Sequence, residues 1–156
     1  AGVVTSPEVA AHLHEEGIDV GQTFAGHPVA CAAGVAAMDA YGDGLIENAR
    51  ARSDHLESRL RELERYDAVG DVRGRGLLWA VEFTDPETGD PFHHPWMDAG
   101  ENPVDDVIDA AQRRGVLVGG GRPRTQIIVA PPLPVTDGEI DTAVDALDAA
   151  VAVAFE

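Results

Sequence analysis

Few residues in this chain have the types and spacing that chemistry needs, and the best of them lie in "GQTFAGHPVACAAG", residues 21–34. A threonine at a strand end, then Gly26, then a helix opening near Pro28 would present a hydroxyl and free backbone N–H groups to an anion. The positive end of the helix dipole would assist. A phosphate suits such a cradle; the same residues also read as an ordinary strand-to-helix connector. Arg122 and Arg124, in "GGGRPR", could clamp a carboxylate, because a guanidinium binds carboxylates bidentately and the glycines let it approach or swing away. As surface charges they would need no such role, and the same holds for Arg73 and Arg75 in "VRGRG".

Other candidates fall away. His12 and His14 are two apart on a helix and so point to different faces. His93 and His94 sit in a proline-flanked stretch without companion cysteines, so no metal site is expected. "GGGR" has neither the G-x-G-x-x-G spacing nor the lysine of a phosphate-binding loop. No Ser-His-Asp or Cys-His arrangement can be assembled. Cys31 sits among alanines, where a small buried thiol is expected, and a single cysteine permits no internal disulfide.

These residues need elements to hold them. "AGVVTS" reads as a short buried strand, followed by a helix over 7–16 with Ser6 as N-cap, Pro7 at its first position and Gly17 as its stop. The alanine-rich run from Pro28 to Tyr41 is a second helix, broken by Gly42-Asp43-Gly44. Leu45, Ala49, Leu56, Leu60 and Leu63 recur at helical spacing and predict an amphipathic helix over 45–65. Alternation then places Leu77, Trp79, Val81 and Phe83 on one face of a strand, with "DPETGD" as a turn and residues 92–101 irregular. Asn102 and Pro103 open another helix, with Asp105 and Asp106 in its first turn, Arg113 and Arg114 in its last, and Gly115 beyond. "VLVGGG" and "IIVAPP" read as two short strands. The last helix has a capping box, Thr136 with Glu139, a staple of Val135 against Ile140, and a stripe of Ile140, Val144, Leu147 and Val151. The pattern predicts an α/β (α+β) sandwich.

Composition narrows the partners. The chain has 156 residues and a net charge of −17, which repels nucleic-acid phosphates and anionic membranes, and no run of roughly 18 consecutive apolar residues suggests a membrane span. All 11 basic residues are arginine; there is no lysine. Acidity spread along the whole chain, without lysine, is what a protein kept soluble in very high salt needs, so a halophilic cytoplasm is the expected setting.

Taken together, "TFAGHPVACAAGVAAMD", "VGDVRGRGLLWAVEF" and "IIVAPPLPVTDGEIDTAVDALDAAV" resemble the C-terminal part of class III, or ω-type, aminotransferases of fold type I, which use pyridoxal 5′-phosphate. The resemblance runs essentially from end to end. It implies that Thr23, in the family's T-[FY]-x-G-H-P motif, binds the cofactor phosphate across a homodimer interface. It also implies that residues 1–44 are the tail of the large cofactor domain and the interdomain helix, with 45–156 the small C-terminal domain. Two departures stand out. The family's Schiff-base lysine is expected upstream of Ala1, so this stretch holds no catalytic residue and is expected to be an inactive C-terminal piece. At the family's R-φ-A-P-P-L motif the arginine is replaced by Ile128, which weakens an ornithine- or acetylornithine-like specificity and turns attention to Arg122 or Arg124 as ligands of a keto-acid acceptor. The intact enzyme would carry an amino group from an amino acid or ω-amine donor to a keto acid. Other readings are an aminomutase or decarboxylase on the same scaffold, or a noncatalytic α/β binding module.

Overall fold

The computed structural model describes residues 4–17, 21–92, 102–121 and 124–155. The chain divides into two compact units, Ala1–Asp43 and Gly44–Glu156.

The first unit is helical. Helix α1 (Pro7–Glu16) begins as its sequence predicts: the Ser6 hydroxyl accepts from Val9 N–H, Pro7 needs no donor there, and Gly17 ends the helix at a φ of 79°. The strand expected before it is absent from its described part. Residues 4–6 are irregular and Val4 is fully exposed, while the rest of that strand lies outside the described residues. Helix α2 (Pro28–Ala40) comes second. None of the described residues before Asp43 is buried, so Cys31, expected in a core, is exposed, as are Val29, Val35 and Met38. Among the described residues of this unit none packs on α2 closely enough to bury it.

The glycines at 42 and 44 also act differently from expectation. The backbone does not stop but widens through a π-helical turn, Tyr41–Leu45, with Gly44 at a φ of 91° that only glycine adopts freely. By length and composition the helical stretch Pro28–Arg65 could cross a membrane. Its apolarity comes mainly from alanines of α2, small side chains suited to close packing.

The second unit is a two-layer α+β arrangement. Helix α3 (Ile46–Arg61) tightens into a 3₁₀ turn, Glu62–Arg65, and buries Leu56, Leu60 and Leu63, as its period predicts. Strands β1 (Val69–Arg75) and β2 (Leu78–Phe83) form a hairpin; helix α4 (Pro103–Arg113) comes next, then β3 (Gly119–Gly120), β4 (Gln126–Val129) and helix α5 (Asp137–Phe155). The sheet is antiparallel throughout, in the order β1-β2-β4-β3. The strand expected in "VLVGGG" shrinks to two of its three glycines.

Register decides which residues meet. Val72, Val81 and Ile127 share one cross-strand row, with Trp79 and Val129 paired beside them, and all are buried against α3, α4 and α5 in one apolar core. The alternate residues, Arg73, Ala80 and Ile128, form a row on the opposite face. No described element of this unit covers that face.

Polar contacts fix the helices. Arg52, His55, Arg59 and Arg65 of α3 and its 3₁₀ extension reach Asp137, Asp141, Asp145 and Asp148 of α5; the Arg52–Asp137, His55–Asp141 and Arg59–Asp141 contacts are each 2.9 Å. Partly exposed pairs of this kind contribute little singly, and their value lies in setting the register between two helices. The Asn48 amide donates to the carbonyls of Leu133 and Val135 at 2.7 and 3.0 Å, pinning the proline-rich turn before α5. That turn ends in the expected capping box: Glu139 accepts from Thr136 N–H at 2.8 Å, and Glu139 N–H donates to the Thr136 hydroxyl at 3.3 Å.

Two of these contacts can be tested by substitution. A Cβ at Gly74 would lie 2.4 Å from the Leu78 carbonyl oxygen and 2.5 Å from the Trp79 ring, so Gly74→Ala should destabilise the unit by about 2 kcal/mol or more. Thermal or urea unfolding reads this, and an unchanged midpoint would contradict the packing. The Thr136 hydrogen bonds hold the Glu139 carboxyl below the usual glutamate range. Its folded value is lowered, so its contribution is present above the ordinary glutamate pKa and is lost as pH falls through the folded value. Glu139→Gln should therefore flatten the acid limb of the stability profile, measured by unfolding between roughly pH 3 and 6, where carboxylates titrate.

Candidate functional site

The turn that holds Thr23 is built from backbone. Ala25 N–H donates to the Gln22 carbonyl at 3.0 Å, His27 N–H to the Phe24 carbonyl at 3.1 Å, and Gly26 takes a φ of 71°. A side chain at Gly26 would meet nothing within 4 Å, so the glycine serves conformation and not close packing. The Phe24 ring meets the His27 imidazole edge-on, with centroids 6.2 Å apart, and Thr23 is exposed.

The helix start next to this turn differs from those of α1, α4 and α5, while α3, like α2, has no side-chain cap. Helices α1, α4 and α5 begin with side-chain caps from Ser6, Asn102 and Thr136. Helix α2 begins at His27 with no side-chain cap, Pro28 lacks an N–H, and the first helical N–H groups have no partner within the helix. Its first turn carries no acid, whereas α1 has Glu8 there, α4 has Asp105 and Asp106, and α5 has Asp137 and Glu139. In a chain of net charge −17, a helix start free of carboxylates is where a dianion meets least repulsion. The donor set, a hydroxyl and uncapped amides, fits a phosphate. Nothing in the chain fits the aldehyde end of pyridoxal phosphate, because no residue is lysine.

The arginine candidates separate. Arg122 lies outside the described residues. Arg124 does not stand free: its guanidinium pairs with Asp105 of α4, and its backbone carbonyl accepts from the Asn102 amide at 2.8 Å. Arg73 is engaged as well, by Asp71 at 2.8 Å, by Glu82, and by the Gln126 amide oxygen at 2.7 Å. Those bonds, the one to Asp71 foremost, raise its pKa further above the ordinary arginine value. Two carboxylates already satisfy it, which leaves little for a ligand. Ile128 sits on the uncovered face in the same row as Arg73 and Ala80.

His12 and His14 are exposed on α1, and His93 and His94 lie outside the described residues. Among the described residues no group of histidine, cysteine and carboxylate side chains could hold a metal. An apolar cleft of about 190 Å³ is lined by the 116–118 and 128–132 segments, α5 and Leu56; Glu139 is the one charged residue in its lining. Sequence reasoning identified Asn102 as a helix cap but missed its hold on Arg124. A contact across 22 residues leaves no local signal.

Comparison with known proteins gives these features a context. The family model for class III aminotransferases matches residues 1–151. An acetylornithine aminotransferase from Methanothermobacter thermautotrophicus is 35% identical over 148 residues, which cover 94% of this chain and 33% of that protein. An ethanolamine-phosphate phospho-lyase homolog from Caenorhabditis elegans is 30% identical over 152 residues, 95% of this chain and 31% of that protein. Among solved structures, an S-selective transaminase from Bacillus megaterium superposes with a TM-score of 0.78 at 30% identity, covering 94% of this chain and 33% of that one. The chain thus spans about a third of the length of the relatives it matches. Helix α2 and its continuation fall inside the matched span, so they are elements of that fold. With a family match over nearly its whole length and the fold of solved transaminases, the chain belongs to the class III aminotransferase family.

Proposed function

We propose that this chain is the cofactor-phosphate and small-domain portion of a pyridoxal-phosphate-dependent aminotransferase. The observation that carries the reading is the family match over residues 1–151, in which the Thr23 turn and the uncapped, acid-free start of α2 supply donors suited to a phosphate. Pyridoxal phosphate, when bound, supplies an electron sink that allows an amine's α-carbon to give up its proton. The residues of this chain hold and orient. The Thr23 hydroxyl and the first amides of α2 would grip the phosphate, and in the family's dimeric arrangement they would do so in the partner's site. The second unit would shape the substrate pocket. Its Gly-Arg loop would bring Arg122 or Arg124 to the carboxylate of a keto-acid acceptor, while Ile128 leaves the β4 position apolar. The amine that moves the proton must come from the remainder of the protein, since these 156 residues hold no lysine.

Ile128 favours ω-amine donors over α-amino acids that need an arginine there. The similarity to a phospho-lyase homolog favours a second chemistry, elimination, on the same scaffold. Amine turnover that requires a keto acid separates transfer from elimination, which requires none.

In the complete protein, Thr23→Ala should weaken retention of pyridoxal phosphate by about tenfold or more, the scale of a lost hydrogen bond to a charged group. Thr23→Ser should restore it. Cofactor absorbance after gel filtration reads both, and equal retention in all three forms would contradict the assignment. The diffuse acidity supports a second part of the proposal, a cytoplasm of molar salt. The melting temperature should rise steeply with KCl, and a melt unchanged between low and molar salt would contradict it.

A further inference from the structure

Acidic side chains recur along this chain, but not evenly. No Asp or Glu lies between Asp109 and Asp137, the longest such interval in a chain that holds 28 of them, whereas four of the 11 arginines, Arg113, Arg114, Arg122 and Arg124, fall within it. The next longest interval, Asp19 to Asp39, contains the Thr23 turn and α2. Carboxylates are costly to cover, and the cores of protein interfaces are depleted of charge. An interval that leaves them out suits a surface that is covered.

The interval after Asp109 also supplies much of the apolar cleft of about 190 Å³. The lining joins Leu56, Ile140 and Leu147 of the core to Leu117 and Ile128. Leu117, at 82% exposure, is the most exposed large apolar side chain described in the second unit. An apolar cavity of about 150 Å³ admits benzene, so the cleft has room for an aromatic or leucine-sized side chain. It is also preformed: Asn48 pins the turn after Pro131 and Pro132, and the Glu139 carboxylate is already held by Thr136.

We propose that this cleft, with Leu117, is the seat of an apolar side chain from the part of the complete protein that precedes residue 1. The chain spans about a third of the length of its relatives, so most of the surface able to cover the cleft lies in the remainder. Docking on the same surface of a second copy would set arginines against arginines, with no carboxylate inside the interval to offset them. The proposal stands on these features and not on the cofactor reading.

The test uses the complete protein. Hydroxyl-radical footprinting of the unsubstituted protein should oxidise Leu117 and Ile128 about tenfold or more slowly than in the same protein unfolded in urea, the protection that a closed contact gives. A photoreactive phenylalanine analogue in place of Leu117 should cross-link to a peptide upstream of residue 1. In oligomers mixed from isotopically light and heavy chains, that peptide should carry only the label of its own chain. Leu117 oxidised as fast in the folded as in the unfolded protein would overturn the proposal, whatever the cross-linking variant does. Cross-links to residues 1–156 would overturn it as well, and so would cross-links between light and heavy chains, which place a second copy on the cleft. Neither readout needs bound cofactor or turnover.

Discussion

The structure depends on burial at one face of a small antiparallel sheet. Val72, Val81 and Ile127 in one row, with Trp79, Val129 and Phe83 beside them, meet Leu56, Leu60 and Leu63 from α3, Val104 and Val107 from α4, and Ile140, Val144 and Leu147 from α5. Because strand side chains alternate, burying this set commits Arg73, Ala80 and Ile128 to the other face. Ile128 is thereby set on the uncovered side of the sheet, together with the charged cluster of Asp71, Arg73 and Glu82. Ion pairs between α3 and α5 then fix how the helices lie on the core, in a chain where arginine supplies every basic side chain.

The first unit obeys a different constraint. Its helices carry Val29, Val35 and Met38 in the open, and none of its described residues is buried. Local rules alone shape it: proline at the first position of both helices, glycine at positive φ in the Thr23 turn and after α1. The chain spans about a third of its relatives' length, and one part of it builds a core while the described residues of the other, an exposed turn and an apolar helix among them, are nowhere buried.

Much of this was legible in the sequence, and what was legible was local. Ser6, Asn102 and Thr136 announced helix starts because capping acts over three residues, and the leucines of α3 announced a buried stripe because they repeat with the helix. Where a rule needed a neighbour, it failed. Residues 4–6 pair with no strand among the described residues, Cys31 is exposed, and Gly42-Asp43-Gly44 widens the helix where punctuation alone predicts a stop. In the candidate site, the Thr23 turn and the arginines were visible as residue types. The bond from Asn102 to Arg124 and the pairing with Asp105 were not, because they join segments that only the folded chain brings together.

The central claim is that Thr23 serves a cofactor phosphate held in the partner's site, and the most direct measurement is on mixed dimers of the complete protein. One protomer would carry Thr23→Ala and the other a substitution of the cofactor-linked lysine outside these residues. If Thr23 acts across the interface, both defects fall in one site and leave the second intact, so the mixed dimer should hold cofactor at one site with close to wild-type affinity and keep about half the activity. If each protomer uses its own Thr23, every site carries one defect. No site would then combine tight cofactor binding with turnover, and the account would be contradicted.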